Sequence, residues 1–527
     1  MSLATIEQTK RLELEWDAIN WHELEYQVDR LQKRIFRATQ DENWSKTKSL
    51  QKLFVRSRNA KLLAIRKVTQ LNSGKLTPGI DNKLYITSEA RMQLYQEINF
   101  INYQPRPVKR VYILKADGRR RPLGIPTILD RVVQTMVKMA LEPAWEARFE
   151  PNSYGFRPGR RCQDAIQQIR VSAGRRKGSI EFPWILDADI TGCFDNINHE
   201  ELLNKLSVFK PIVLKWLKAG LVENGQFYKI KTGVPQGSII GPLLANIALD
   251  GLERLLGIED SRGRYIQPSK RKGLDKGVSI IRYADDFIVI APTREIIVNY
   301  ALPKIKSFLE KRGLIINERK TRILSTEEGF NFLGFAMKQI WDRNHHIFLT
   351  VPSKQAVKRH LKHIKEVLSS NKQAKVLDIV ETLNPIIRGW ANYFRHCHAK
   401  KTFNYIDHRI WQMLWQWCVR RHPRKTKGWV KRRYFRKVGK RDWIFQVHEV
   451  QLISTAKVGV AKYYIKVGMY NSPYDPKLKE YWKRRGTWAE ILLESDYERE
   501  ENDITHNMDD LDQISIEEQP QRCDPSE

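Results

Sequence analysis

SIIRYADDFIVIA, residues 279–291, decides the fold. Two β-branched, apolar runs flank Asp285-Asp286, so the pattern predicts a hairpin with both acids at its tip. Adjacent carboxylates between buried strands repel each other and gain nothing for folding. A divalent cation relieves that repulsion; the plain alternative is an Asp-rich turn. A second acidic strand weighs against the plain turn. WILDADITGCFDNI, residues 184–197, places Asp189 in an apolar run, with Asp187 on the same strand face by the period of two. With the hairpin packed beside this strand, Asp189 and Asp285 jointly bind two hard cations about 3.5–4 Å apart. Such a pair activates a 3′-hydroxyl and stabilises a leaving pyrophosphate. Spacing alone leaves the choice between Asp187 and Asp189 open.

Outward from these strands, strand-like runs alternate with helical ones such as HEELLNKLSVF and PLLANIALDGLERLL, which predicts an α+β layer on an antiparallel sheet. Residues 108–126 read as a hairpin around an Ala-Asp-Gly turn, followed by a helix over about 128–149. Residues 16–71 carry apolar positions at three- and four-residue spacing and read as helical, ended by the Gly/Pro-rich loop at 71–81. Residues 354–420 are helical and basic, rich in Trp, Tyr and His. VGVAKYYIKVGM, residues 458–469, leans to β.

The 527 residues hold 92 Lys+Arg against 60 Asp+Glu, a net charge of +32. Residues 494–527 hold 13 acids and two bases, which leaves the first 493 residues at +43. That excess points to a polyanionic partner. It is densest over 420–441, with twelve Lys/Arg, no acid, and Trp429, Tyr434 and Phe435 interleaved. Hydrophobic residues at 41% are enough for a core and exclude wholesale disorder, except in the acidic tail. The five cysteines (Cys162, Cys193, Cys397, Cys418, Cys523) are scattered and lack a C-x-x-C pair, against a disulfide framework or zinc ribbon. The start, MSLATIEQTKRLELEW, has no apolar segment of the signal-peptide kind. The longest uncharged stretch, 233–249, falls short of the ~20 apolar residues of a membrane span. The expectation is a soluble, intracellular, reduced protein without membrane contact.

YADD at 283–286, with RRPLGIPTILDRVVQ, YGFRPGRRCQDAI, DADITGCFDNINH, TGVPQGSIIGPLLANIALD, GLIINERKTRIL and FNFLGF in that order, resembles bacterial group II intron-encoded reverse transcriptase/maturases. The likeness runs from about residue 16 to 485. It implies a right-hand polymerase of the α+β class, with fingers and an antiparallel palm sheet, then an α-helical thumb and a small basic DNA-binding region. The corresponding segments are an N-terminal extension of the fingers (1–90), fingers and palm (91–345), thumb/maturase (346–435), basic region (436–493) and acidic tail (494–527). The implied function is RNA-directed DNA synthesis, splicing of the intron and target-primed mobility. Two other readings stand beside it: an RNA-binding splicing cofactor with an incidental polymerase site, and a related retroelement or CRISPR-linked reverse transcriptase.

The resemblance also implies roles. Asp189, with the carbonyl of Ile190, matches the first metal ligand, Asp285 the shared ligand and Asp286 the family's second, less indispensable acid, for two Mg²⁺ with Mn²⁺ as substitute. Phe194 matches the aromatic gate whose ring leaves no room for a 2′-hydroxyl. Lys115 and Arg121 resemble fingertip cations on the incoming triphosphate. Gln236 of Pro-Gln-Gly resembles the contact to the nucleotide sugar, and Lys320 the residue that protonates the pyrophosphate. Asp195 and Asn196 either cap the helix near His199 or take part in the chemistry.

In LNPIIRGWANYFRH, Arg388 and Arg395 supply phosphate contacts, and Trp390, Tyr393 and Phe394 either stack on bases or form a bundle seam. Arg424, Lys425, Lys431, Arg432, Arg433, Arg436 and Lys437 are the expected contacts to nucleic acid. The implied partners are intron RNA, an RNA template with DNA primer, target DNA and deoxynucleoside triphosphates, in a bacterial cytoplasm or ribonucleoprotein. The paired C-x-x-C motifs of the family's His-Asn-His nuclease are missing from the sequence, so no protein-catalysed strand cleavage is expected.

Overall fold

The computed structural model describes residues 15–100, 102–114, 120–174, 183–260, 262–267, 270–273, 277–342, 345–461 and 464–486; Lys115 and the acidic tail lie outside them. The chain forms two compact units, Met1–His360 with Tyr464–Trp482, and Leu361–Tyr463 with Lys483–Glu527.

The first unit opens with α1 (Trp21–Gln40), α2 (Trp44–Arg56) and α3 (Arg58–Arg66). Asn20, Asn43 and Ser57 cap them, each side chain accepting the backbone N–H three residues on. Those caps divide what the apolar spacing reads as one helical stretch. After α4 (Ser88–Glu97), strands β1 (Val108–Leu114) and β2 (Arg120–Ile125) pair antiparallel from Lys109↔Ile125 to Leu114↔Arg120, the hairpin expected from sequence. They join β4 (Leu221–Glu223) and β5 (Gln226–Tyr228) in the order β2-β1-β4-β5. Helix α5 (Ile128–Glu146) is buried nearly all round, polar Asp130, Arg131 and Gln134 included, with Val132, Val133, Val137 and Ala140 fully enclosed. Then comes α6 (Cys162–Ala173).

The second sheet of this unit carries the acids. Strands β3 (Trp184–Ala188), β6 (Ser279–Tyr283), β7 (Asp286–Ala291) and β8 (Arg322–Ser325) lie in the order β6-β7-β3-β8, every neighbour antiparallel. Phe287, Ile288 and Val289 have no measurable exposure, each burial contributing about 1.5–3 kcal/mol. The apolar helix α7 (Gly241–Leu249) is buried along its length, and β9 (Phe330–Phe332), β10 (Phe335–Asp342) and β11 (His345–Pro352) form a separate antiparallel sheet.

The stretch 464–482 returns to this unit. Val467 N–H donates to Asp164 Oδ1 (2.8 Å), Arg160 Nη2 to the Met469 carbonyl (2.6 Å), and Tyr474 O–H to Glu142 Oε2 (2.8 Å). The β-leaning segment 458–469 is thus not a strand among the described residues. Side chains of Asp164 and Arg160 pair with the backbone of Val467 and Met469 in place of a ladder.

In the second unit, helices α8 (Lys354–Ser370, in which the boundary falls), α9 (Val376–Phe394) and α10 (Lys400–Arg421) are followed by α11 (Lys427–Tyr434) and a small sheet of β12 (Phe435–Val438), β13 (Arg441–Val447) and β14 (Val450–Gln451). Ile379, Val380, Leu383, Ile387, Ala391 and Phe394 form the buried stripe of α9, and Phe403, Ile406, Ile410, Leu414 and Trp417 that of α10. Asp407 ties α10 to the chain beyond β14 by accepting from the N–H groups of Thr455 and Ala456.

Candidate active site

The pairing Tyr283↔Asp286 leaves Ala284-Asp285 as a two-residue turn between β6 and β7. Ala284 has φ +60°, a left-handed conformation that L-residues seldom adopt. Buried partners hold it there. Arg282 Nη1 donates to the Ala284 carbonyl (3.0 Å) and to Asn246 Oδ1 on α7 (2.9 Å). Asn246 Nδ2 in turn donates to the Gly155 carbonyl (2.8 Å). A Cβ at Gly155 would stand 2.4 Å from the Ala284 nitrogen, so only glycine lets that segment brace the turn.

Asp189 lies one residue past β3. Its carbonyl accepts from Asn317 N–H (2.8 Å) while Ile190 bridges Ile316, which fixes the acid at the strand end. Lys320 Nζ sits 2.6 Å from Asp189 Oδ2.

The acids perturb one another. Although Asp286 is exposed at the hairpin tip, desolvation of its carboxyl and then repulsion from Asp285 and Asp189 push it up to about 7. Asp285 is raised by desolvation, with Asp189 adding to it and Arg121 and Lys320 opposing. Asp187 is pushed up to about 6 by desolvation, against the pull of Arg322, its register partner on β8. Asp187 thus lies within β3 opposite Arg322, whereas Asp189, past the strand end and paired with Lys320, adjoins Asp285 and Asp286.

Clustered carboxylates, being hard oxygen donors, suit divalent cations in chemistry. Among the described residues, however, no three His, Cys, Asp or Glu side chains stand ready-made as a cage. An ammonium occupies one oxygen of Asp189 instead.

An open cavity of about 390 Å³ is lined by Arg110, Tyr112, Gly124, Phe194, Asp195, Lys229, Lys231 and Gln236. Phe194 is 9% exposed, its ring edge-on to Phe156 at 6.5 Å, so it is a packed residue and a wall of the cavity together. Arg121 Nε donates to Gln236 Oε1 (2.9 Å), and Gln236 Nε2 donates to Asp195 Oδ2 (3.1 Å). Desolvation raises the Asp195 pKa, opposed by Arg110, Gln236 and Arg121.

Backbone bonds staple the three segments: Val234 N–H to the Phe194 carbonyl (2.6 Å), Gly233 N–H to that of Ile197 (2.8 Å), and Gly124 N–H to that of Gln236 (2.6 Å). A Cβ on Gly233, at φ +87°, would lie 2.4 Å from the Asp195 carbonyl oxygen. Asp195 does not cap the following helix. Asn198 does, accepting from Glu201 N–H, while Asn196 Nδ2 donates to the Thr191 and Gly192 carbonyls.

In the second unit Arg388, Arg424, Lys425, Arg432, Arg433, Arg436 and Lys437 are exposed. Lys431 is half-buried and paired to Asp442 at 2.7 Å. Arg395 is a correction to the sequence reading: at 3% exposure it lies in the helical core, out of reach of a phosphate. Trp390 packs on Phe394 (4.6 Å) and Phe403 (5.9 Å), and Tyr393 on Phe394 (4.8 Å), so these rings form the seam of the bundle.

Sequence reasoning missed Arg110, Tyr112, Lys229 and Lys231 as cavity walls. The period-two alternation that puts Val108, Arg110 and Tyr112 on one face of β1 was the available signal. Among the described residues no helix is long and apolar enough to cross a membrane.

Residues 113–337 match the family described as reverse transcriptase (RNA-dependent DNA polymerase), residues 16–98 the N-terminal domain of reverse transcriptase, and residues 357–435 the group II intron maturase-specific domain. Protein YkfC of Escherichia coli (strain K12) is 33% identical over 304 residues, spanning 51% of this chain and 77% of its own. Group II intron-encoded protein LtrA of Lactococcus lactis subsp. cremoris is 27% identical over 438 residues, 68% of this chain and 72% of its own. Maturase-like protein 1 of Euglena gracilis is 28% identical over 374 residues, 70% and 74% respectively.

Proposed function

The chain belongs to the group II intron-encoded reverse transcriptase/maturase family, and from that premise we propose that it copies RNA into DNA at a two-metal site carried by Asp189 and Asp285. The observation behind this reading is the meeting of Asp189, Asp285 and Asp286 at adjacent strand ends of an antiparallel sheet, where desolvation and the neighbouring acids raise the pKa of Asp285 and Asp286. Asp189 and Asp285, with the Ile190 carbonyl and Asp286, would hold two Mg²⁺. When bound, these ions activate the primer 3′-hydroxyl and neutralise the charge that develops on pyrophosphate.

The remaining roles fall to this chain's own side chains. Phe194 closes the space a 2′-hydroxyl would need, Gln236 hydrogen-bonds the sugar, and Arg121, together with Lys115 of the same hairpin, binds the triphosphate. Lys320 gives up a proton to the departing pyrophosphate. Arg388 and the exposed cations of 424–437 bind intron RNA and target DNA, so that one polypeptide serves splicing and target-primed insertion. Extension of a DNA primer on an RNA template with deoxynucleotides and Mg²⁺, compared between wild type and Asp285→Ala, tests the reading.

A further inference from the structure

We propose that Asp195 is a positioning residue for nucleotide selection, acting by fixing the orientation of the Gln236 amide. The inference deepens the proposed sugar contact of Gln236 and rests on it.

A glutamine amide has one accepting and one donating end, and in isolation either can face the ligand. Here the two ends are held by groups of opposite kind. The Arg121 guanidinium donates to Oε1 at 2.9 Å, and the Asp195 carboxylate accepts from Nε2 at 3.1 Å. Arginine has no accepting atom and an ionised carboxylate has no donor, so a flipped amide would break both bonds and set like against like. With Oε1 turned to Arg121 and one N–H to Asp195, the second N–H of Gln236 is the group left to offer to the cavity.

The two anchors come from different parts of the fold, β2 and the one-turn helix Cys193–Asn196 that follows β3. The backbone keeps them in register. Gly124 N–H donates to the Gln236 carbonyl, and Val234 N–H donates to that of Phe194. Thr232 Oγ1 donates to the carbonyl of Asp195 itself (3.2 Å). A Cβ at Gly237 would meet the Gly124 carbonyl oxygen at 2.8 Å, so close approach of β2 to this loop depends on glycine. Asp195 directly follows Phe194, so the ring that excludes a 2′-hydroxyl and the carboxylate that orients the sugar contact move as one piece. Their juxtaposition makes Asp195 act through Gln236, without touching the reacting atoms.

The test is steady-state single-nucleotide incorporation, with deoxy- and ribonucleotides, by wild type, Asp195→Ala, Asp195→Asn, Gln236→Ala and the Asp195→Ala/Gln236→Ala double variant, each with a melting curve. Asp195→Ala is expected to raise the deoxynucleotide KM roughly three- to tenfold with kcat nearly unchanged, the scale of one hydrogen bond. It should also lower discrimination against ribonucleotides. Asp195→Asn retains an accepting oxygen and should restore KM to within about threefold of wild type. The double variant should be no worse than Gln236→Ala alone, because both remove one interaction. A loss in kcat with unchanged KM, a failure of Asp195→Asn to restore KM, or additive effects in the double variant overturns the proposal. An unchanged KM and discrimination in Gln236→Ala overturns the sugar-contact reading itself, and the proposal with it.

Discussion

Lys320 Nζ lies 2.6 Å from Asp189 Oδ2, so a candidate metal ligand is closed by an ion pair with the candidate proton donor. Both residues face solvent in part, with 54% and 23% of their side chains exposed, so water screens the pair and a divalent ion competes with it readily.

Replacing Lys320 with Ala therefore has two effects of opposite sign. The maximal extension rate should fall about 10²-fold as the proton donor is lost. The Mg²⁺ concentration for half-maximal rate should fall too, because Asp189 no longer has an ammonium to exchange. A metal titration of the extension rate reads both. An unchanged rate, or a higher metal requirement, contradicts this pairing of roles.

Phe194→Val opens space beneath the sugar and should reduce discrimination between deoxy- and ribonucleotides by about tenfold or more. The ring is also a packed residue against Phe156, so a stability loss of about 2 kcal/mol accompanies the change. Comparing kcat/KM for the two sugars separates the roles. Altered stability with unaltered discrimination would make Phe194 a core residue alone.

Arg432, Arg433, Arg436 and Lys437 are exposed around α11 and β12, and Lys431 is left out because Asp442 holds it. Replacing the four with Ala should flatten the dependence of log K on log salt by roughly two to four units. Extension on a saturating pre-annealed template should change much less. An unchanged slope would mean a merely solvated surface.

Glu259, 3% exposed, supplies a pH prediction away from the active site. Desolvation, then Glu150 and Asp250, push its carboxyl from 4.5 up to about 8, against the pull of Arg254. A raised folded-state value favours the protonated form, so the stability it contributes is full below about pH 4.5 and is lost as pH rises through 8. Glu259→Gln mimics the protonated form. Its melting temperature should exceed that of wild type at pH 8.5, by the equivalent of roughly 1–3 kcal/mol, and converge with it near pH 5. A variant less stable at pH 8.5 would show that the 3.5 Å pair with Arg254 outweighs the burial.

Three strands of the palm sheet, β3, β6 and β7, were legible because their runs are largely apolar, and because an acid inside such a run has few structural reasons to be there; the short β8 gave no such signal. Asp187 and Asp189 could not be separated by period, since both lie on one face. What separates them is position: Asp187 lies within β3 opposite Arg322, and Asp189 lies past the strand end beside Asp285 and Asp286. The bundle hid Arg395: an arginine between Phe394 and Cys397 looks the same in sequence on either side of a helix. The segment 458–469 was misread as β-leaning because Val467 and Met469 find partners in Asp164 and Arg160, about three hundred residues earlier, instead of in a ladder. Asp195 was ambiguous for the opposite reason, since an acid near a helix start is common and Asn198 took the cap.

The most direct measurement is extension of an annealed DNA primer on an RNA template with Mg²⁺ and deoxynucleotides, by wild type, Asp285→Ala and Asp189→Ala, beside RNA binding by each. Removing either carboxylate deletes a metal ligand and no phosphate contact. Wild type should extend the primer, and both variants should lose extension while binding RNA as tightly as wild type. Extension by Asp285→Ala at the wild-type rate would contradict the assignment of the polymerase site to these acids.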